Sequence, residues 1–294
     1  MKKRTAVSED ILRKIRQIQI YTRRLLSGSL VGDTRSALKG TGFEFDQIRE
    51  YQQGDDIRFI DWRASARANK LLVKQFIEER SRTIFLAVDI SASSFFSSTS
   101  ELRHDILAQV ASALALVAEF GKDKVALILF SDRIETYIPP GSGKFHVHTI
   151  MQTLFGAEPQ HKKTNIAVAL EHLAQLKRKD AVVFMLSDFI DTNFEKQLGL
   201  VAAMYDFIAV RYLDKNEHAV PTIGFVDVED IETGHIYTVD MRKKGAHYIN
   251  EYLATRVTEQ DNLFTKYGVD VLDLVNDKHI IGDIIKFFRR RMRY

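Results

Sequence analysis

One group of polar residues in the sequence has the composition and spacing of a metal site. Asp89, Ser91 and Ser93 directly follow an apolar run and stand two residues apart. One carboxylate and two hydroxyls spaced in this way can direct three oxygen atoms to one point, and hard cations such as Mg²⁺ bind oxygen ligands while keeping several waters. Taken alone, the pattern is better explained as a serine-rich turn that caps the following helix.

Two later residues favour the metal site. Thr164 immediately precedes an amphipathic run, and Asp188 follows an apolar run. Each residue alone is typical of a helix cap or a turn. Together with the first group they fall, in order, at the ends of predicted sheet elements, where open α/β sheets bind ligands. The predicted metal ligands are therefore Asp89, Ser91, Ser93, Thr164 and Asp188.

The elements that must position these residues alternate along the chain. Short β-branched runs predict strands at Thr83–Asp89, Val125–Phe130, Ala181–Leu186, Phe207–Leu213 and Val269–Leu274. Longer amphipathic runs predict helices at Leu102–Phe120, Asn165–Lys177, Asn193–Met204, His247–Tyr267 and Ile280–Arg291. This alternation predicts an α/β fold with a doubly wound, mainly parallel sheet. Turn residues predict edge strands or hairpins at Ile134–Ile138, Ile223–Val228 and His235–Val239.

The first 80 residues have a different pattern. They predict a polar helix at Ser8–Ser27, a glycine-bearing loop at Gly28–Gly42 and then a densely charged segment. Alternation over Leu71–Glu79 predicts a strand that turns at residues 80–82 and pairs with Thr83–Asp89. We expect residues 1–80 to pack on the sheet as an N-terminal extension of the domain formed by residues 81–294.

Composition limits the class of protein. A chain of 294 residues that is 45% hydrophobic can bury a full core. It contains no cysteine, which excludes disulfides, thiolate metal sites and cysteine nucleophiles and favours a reducing compartment. No uncharged apolar run is long enough to span a membrane. The net charge of +3 is small and argues against nonspecific binding to nucleic acid. These features predict a cytoplasmic protein.

The five predicted ligands occur in an order that resembles the metal-ion-dependent adhesion site of von Willebrand A domains. The resemblance implies a von Willebrand A (Rossmann-like) fold in which Ser91, Ser93 and Thr164 are the near ligands of Mg²⁺, with Mn²⁺ or Ca²⁺ as other possible ions. It also implies that Asp89 and Asp188 act largely through waters. The open coordination position would then accept a carboxylate from a partner protein.

Upstream motifs carry a second, longer resemblance. The segments Gly42–Tyr51, Gly54–Arg63, Ser65–Arg67, Val73–Phe76 and Glu78–Arg80 are similar to the signature of the bacterial domain-of-unknown-function family fifty-eight, a von Willebrand A-like family. Its genes often lie beside those of MoxR-type AAA+ ATPases. The resemblance therefore implies such an ATPase as a partner, in the assembly or maturation of a target complex.

Charged residues alternate in sign around a tryptophan within this signature. Their arrangement favours an ion-pair network that pins the N-terminal segment to the sheet. The alternative is a surface that docks the ATPase. The residues of that candidate surface are Asp55, Asp56, Arg58, Asp61, Trp62 and Arg67.

Three classes of function stay open. The first is a metal-dependent protein-binding module without enzymatic activity, because neither a nucleophile nor a general base is recognisable. The second is a magnesium-dependent hydrolase of phosphorylated substrates, which needs a general base near Asp89. The third is an adaptor that uses the basic tail at Arg289–Arg293 to bind a membrane surface or nucleic acid, and its binding would weaken with salt.

Overall fold

The structure is a computed structural model that describes residues 43–53, 55–78, 81–95, 102–213, 224–229, 234–275 and 280–291. The predicted helix at Ser8–Ser27, the loop at Gly28–Gly42 and the end of the basic tail lie outside these residues. The strands are β1 Phe43–Glu50, β2 Leu72–Glu78, β3 Thr83–Asp89, β4 Lys124–Phe130, β5 Ile134–Gly141, β6 Ala181–Ser187, β7 Asp206–Leu213, β8 Phe225–Glu229, β9 Ile236–Asp240 and β10 Asp270–Val275. The α-helices are α1 Trp62–Ala68, α2 Arg103–Phe120, α3 Lys144–Phe155, α4 Ile166–Leu176, α5 Glu195–Met204, α6 Lys243–Lys266 and α7 Ile280–Arg291.

Six of these strands form the central sheet, in the order β10-β7-β6-β3-β4-β5. All neighbours are parallel except β4 and the edge strand β5. Numbered by their order in the chain, the six strands run 3-2-1-4-5-6, which is the doubly wound order. The predicted α/β fold class is confirmed. The order reverses between β3 and β6, and ligands of such sheets bind at that point, beyond the carboxyl ends of the strands.

Helices cover both faces of the sheet, which explains why its central strands are apolar along nearly their whole length. One core layer lies between the sheet and α2, α3 and α7, and the other between the sheet and α4, α5 and α6. Alternate residues of β3 enter the two layers, so that Leu86 and Val88 face one and Phe85 and Ala87 face the other. This double burial fixes the register of β3 and hence the position of the residues that follow it.

One predicted strand pairing was wrong. β2 does occur, but it pairs antiparallel with β1 in a separate two-stranded sheet, not with β3. The physical reason is that both edges of β3 are already taken, by β4 and by β6. The two hairpin runs near residues 225 and 236 do pair, as β8 with β9. Within the described residues, every helix is too short or too polar to cross a lipid bilayer.

Candidate metal site at the carboxyl edge of the sheet

The serine turn after β3 brings its oxygen atoms together. Asp89 is completely buried, and its Oδ1 accepts a 2.9 Å hydrogen bond from the backbone N–H of Ser91. The turn continues as a short 3₁₀ helix, Ala92–Phe95. In this geometry the Oγ atoms of Ser91 and Ser93 lie 3.0 Å apart. The turn therefore brings the two hydroxyls side by side after the buried carboxylate, and their convergence on a metal ion stays a prediction.

A serine that the sequence interpretation missed joins this turn to β6. Ser187 is fully buried, and its Oγ donates a 2.8 Å hydrogen bond to Asp89 Oδ2. The same oxygen accepts a 3.1 Å hydrogen bond from the backbone N–H of Phe189. The sequence contained only a weak signal, namely that Ser187 directly follows the apolar run Ala181–Leu186. The register that places it beside Asp89 pairs Val88 with Leu186 and comes from the structure.

The loop after β6 holds Asp188 in a fixed position. Asp188 Oδ1 accepts a 2.9 Å hydrogen bond from the N–H of Ile190, and Gln260 of α6 donates to the carbonyl oxygens of Asp188 and Phe189 at 3.2 and 2.9 Å. Phe189 has a φ of 55°, which is unusual for a bulky residue. Its buried ring packs edge-on against Phe264, and this packing compensates for the backbone strain.

Asp188 also has a charged partner that was not anticipated. The guanidinium group of Arg103, the first residue of α2, donates a hydrogen bond to Asp188 Oδ2. The side chains of Arg103 and Asp188 are only 4% and 6% exposed, so this is a buried ion pair. The guanidinium also lies 5.4 Å from the ring centroid of Tyr212 in β7. The pair thus links α2, β6 and β7.

The segment that contains Thr164 lies between the serine turn and the end of β4. The N–H of Ala92 donates to the carbonyl of Lys162 at 3.1 Å, and the N–H of Asn165 donates to the carbonyl of Ser131 at 3.0 Å. Thr164 is half-buried between these two contacts. The N-cap position of α4 is occupied by Asn165. The backbone therefore brings Thr164 to the predicted edge of the sheet, and its role as a ligand stays a prediction.

Burial makes the Asp89 carboxylate easier to protonate. Desolvation first, and then repulsion from Asp188, raise the pKa of Asp89 to about 6. Hydrogen bonds from Ser91 and Ser187 act in the opposite direction but do not cancel the effect. A cation placed beside Asp89 would relieve both causes of the shift.

The serine pair provides a geometric test for an ion. Two oxygen ligands at the usual Mg²⁺ distance and at right angles lie about 3 Å apart. The Oγ atoms of Ser91 and Ser93 are separated by 3.0 Å, so they fit neighbouring positions of an octahedral ion. No group of three or more His, Cys, Asp or Glu residues suited to a metal occurs in the part of the chain that the structure describes. An ion at this edge would therefore depend on the hydroxyls.

The charged residues of the upstream signature form ion pairs within the N-terminal segment itself. Arg49 of β1 binds Asp55 through two hydrogen bonds of 2.7 Å. Further pairs among the described residues are Arg58 with Asp56, Lys74 with Asp61, and Lys70 with Glu50. Each of these described ion pairs joins parts of the β1–β2 hairpin and its connection, so that the pinning of the segment to the sheet stays a prediction.

That connection leaves large apolar side chains exposed. Trp62, at the start of α1, is 67% exposed, and Ile57 is 66% exposed. Arg67 is also exposed, at the other end of α1. Asp61 is instead partly buried, and its Oδ1 caps α1 by accepting a 3.0 Å hydrogen bond from the N–H of Ala64. The acidic residues among the candidate partner-binding residues are therefore engaged in ion pairs or in capping α1, whereas Trp62 and Arg67 are exposed.

Comparison with known proteins gives a family match over most of the chain. A family profile described as "Protein of unknown function DUF58" matches residues 47–260. The uncharacterized protein Rv1480 of Mycobacterium tuberculosis is 26% identical over 282 residues, covering 95% of this chain and 89% of that protein. The uncharacterized protein YeaD of Bacillus subtilis is 37% identical over 81 residues, which are 26% of this chain and 20% of YeaD.

Solved structures with a similar fold have little sequence in common with the chain. The conserved hypothetical protein BatB from Bacteroides thetaiotaomicron matches with a TM-score of 0.47 and 16% identity, over 71% of this chain and 100% of BatB. The VWA domain of SpRpn10 matches with a TM-score of 0.41 and 8% identity, over 70% of this chain and 94% of that domain.

Proposed function

The chain belongs to the DUF58 family of proteins of unknown function, and from this premise we propose that it is a metal-dependent protein-binding module. The observation that carries the proposal is the pair of serine hydroxyls, 3.0 Å apart beside the buried carboxylate of Asp89. This donor set suits a Mg²⁺ ion that retains an exchangeable position. A carboxylate on a partner protein is the group that such a position would accept.

The residues of the site have separate parts in this proposal. Ser91 and Ser93 would hold the ion directly, with Thr164 as the third near ligand. Asp89 would balance its charge and orient bound water. The ion, when bound, supplies an electrophilic position for an acidic side chain. Ser187 fixes the orientation of Asp89 through its 2.8 Å hydrogen bond, so that the donors need little rearrangement.

A MoxR-type AAA+ ATPase is the partner that we propose, with the protein acting in the cytoplasm as its adaptor or co-chaperone. This part of the proposal rests on the family resemblance. The exposed Trp62 surface supports it, because large apolar side chains on a surface are typical of protein interfaces. A target protein with an acidic side chain would occupy the metal site, and the ATPase would bind through the N-terminal segment.

Calorimetric titration with Mg²⁺ tests the metal site. We expect the wild type to bind one ion and the Asp89→Asn variant to bind none. Asp123→Asn is the matched control, because Asp123 is also buried but lies far from the site. It directly precedes β4, at the opposite end of the parallel strands, and accepts a hydrogen bond from the N–H of Arg82. If Asp89→Asn binds Mg²⁺ as tightly as the wild type, the proposed site is wrong.

A further inference from the structure

Asp188 already has a cationic partner. Its Oδ2 accepts a hydrogen bond from the guanidinium group of Arg103, and its Oδ1 accepts the N–H of Ile190 at 2.9 Å. The oxygens of Asp89, by contrast, accept from the N–H of Ser91 and the hydroxyl of Ser187, which are both neutral. The two carboxylates of the site are therefore electrostatically different, because among the described contacts only Asp188 pairs with a positively charged group, the guanidinium of Arg103.

Arg103 occupies a position in its helix that is unfavourable for a basic residue. It is the first residue of α2, where the helix dipole disfavours a basic side chain, and the preceding N-cap residue, Leu102, provides no side-chain cap. The charge is also almost completely buried. A buried ion pair usually contributes no more stability than well-packed apolar residues would. We therefore expect Arg103 to act mainly on the electrostatics of the neighbouring site.

We propose that Arg103 is a built-in counter-cation that partly offsets the charge of Asp188 and thereby lowers the affinity of the site for a divalent ion. The inference rests on the proposed function, because it concerns the same metal site. With Arg103 beside it, Asp188 attracts an incoming ion less strongly, and Asp89 carries the carboxylate charge of the site that no cation among the described residues offsets. Such an ion keeps more of its own positive charge, and it therefore attracts a carboxylate ligand from outside more strongly.

Titration of three variants with Mg²⁺, and with Mn²⁺ as a second probe, tests this role. Arg103→Met removes the positive charge, and we expect the dissociation constant for the ion to fall by at least about tenfold. Arg103→Lys keeps the charge and should bind the ion within about threefold of the wild type. In Arg103→Met/Asp188→Asn both charges are absent, and the affinity should return to within about threefold of the wild type.

Thermal unfolding provides a second readout. In EDTA, the Arg103→Met variant should unfold at a lower temperature than the wild type, because Asp188 is left buried without its partner. Addition of Mg²⁺ should raise its unfolding temperature by more than that of the wild type, since tighter binding stabilises the folded state more. Equal increases in the two proteins would contradict the inference.

The outcomes separate this inference from the proposed function. If the wild type and Arg103→Met bind the ion equally well, the role of Arg103 is wrong and the metal site stands. If none of the proteins binds an ion, the metal site is wrong and the inference falls with it. If Arg103→Met does not fold, the double variant decides: wild-type affinity supports the inference, and a loss of more than about tenfold overturns it, because Asp188 would then hold the ion despite Arg103.

Discussion

Ser187, at the end of β6, donates a hydrogen bond from its Oγ to Oδ2 of Asp89, at the end of β3, over 2.8 Å. The two strands are neighbours at the point where the strand order of the sheet reverses. The same Oγ accepts the N–H of Phe189 at 3.1 Å. One buried hydroxyl thus connects the carboxylate of the serine turn to the loop that carries Asp188, and it couples the two halves of the candidate metal site.

Removal of this hydroxyl should destabilise the protein. In Ser187→Ala the N–H of Phe189 and one oxygen of Asp89 lose a buried hydrogen bond, and we expect the free energy of unfolding to fall by about 1–3 kcal/mol. Urea unfolding at neutral pH measures the change. Ser112→Ala is the control, because Ser112 is also fully buried in α2 but its Oγ has no hydrogen-bond partner within the described part of the chain. A similar loss in both variants would mean that the hydrogen bonds of Ser187 contribute nothing specific.

The raised pKa of Asp89 predicts a gain of stability when its charge is removed. The pKa is about 6 in the folded protein against an ordinary value of 3.8, so the folded state binds the proton more tightly than the unfolded state. The contribution of Asp89 to the free energy of unfolding therefore falls as the pH rises from about 4 to about 6, and it changes no further above that range. The Asp89→Asn variant does not lose this stability, because asparagine has no carboxylate to ionise. In metal-free buffer above pH 6 it should be more stable than the wild type by up to about 3 kcal/mol.

The side chain of asparagine can replace the hydrogen bonds of Asp89. Its oxygen can accept from the N–H of Ser91, and its amide can donate to Ser187 Oγ. Urea unfolding of both proteins in EDTA between pH 4 and pH 8 measures the difference. The two curves should converge near pH 4. A variant that is less stable than the wild type at pH 7 would show that Asp89 has a stabilising partner that outweighs its burial.

The same pKa predicts how metal binding depends on pH. Below pH 6 an ion must displace the proton of Asp89, so its affinity should fall by about tenfold for each further unit of pH. Above about pH 7 the affinity should become constant with respect to this group. Mg²⁺ titrations at pH 5, 6 and 7.5 measure the profile. An affinity that is the same at all three values would exclude Asp89 from the site.

The strands around β3 were predictable because their sequence patterns are unambiguous. Strands buried on both faces require uninterrupted apolar runs, and those runs were identified within one or two residues. Helix α3 was not predicted, although its buried residues Val147, Ile150, Met151 and Leu154 have helical spacing. The preceding turn residues Gly141 and Gly143 and the many β-branched and aromatic side chains concealed that spacing.

The contacts of the site could be predicted only in part. A turn that keeps Asp89, Ser91 and Ser93 together is a local property of consecutive residues, and it follows from the sequence. The ion pair between Arg103 and Asp188 joins residues 85 positions apart, and no local pattern indicates it. The pairing of β2 with β1 was missed for a similar reason, since the order of strands in a sheet depends on long-range packing.

The exposed surface of the N-terminal segment leads to a prediction that separates binding from folding. Trp62 is 67% exposed, so Trp62→Ala should change the free energy of unfolding by less than about 0.5 kcal/mol. If this surface docks the proposed ATPase, the variant should nevertheless lose the partner in a pull-down with a co-encoded MoxR-type ATPase. Asp61→Ala should instead destabilise the protein, because it removes the cap of α1. We expect its free energy of unfolding to fall by about 1 kcal/mol.

Phe145 offers a matched control for Trp62. It is a large aromatic residue in the first turn of α3, on the main domain, and it is 92% exposed. Phe145→Ala removes a comparable apolar surface at a different place, and we expect it to retain the ATPase. Loss of the partner in both variants would indicate nonspecific apolar contacts. Retention in both would exclude the Trp62 surface as the docking site.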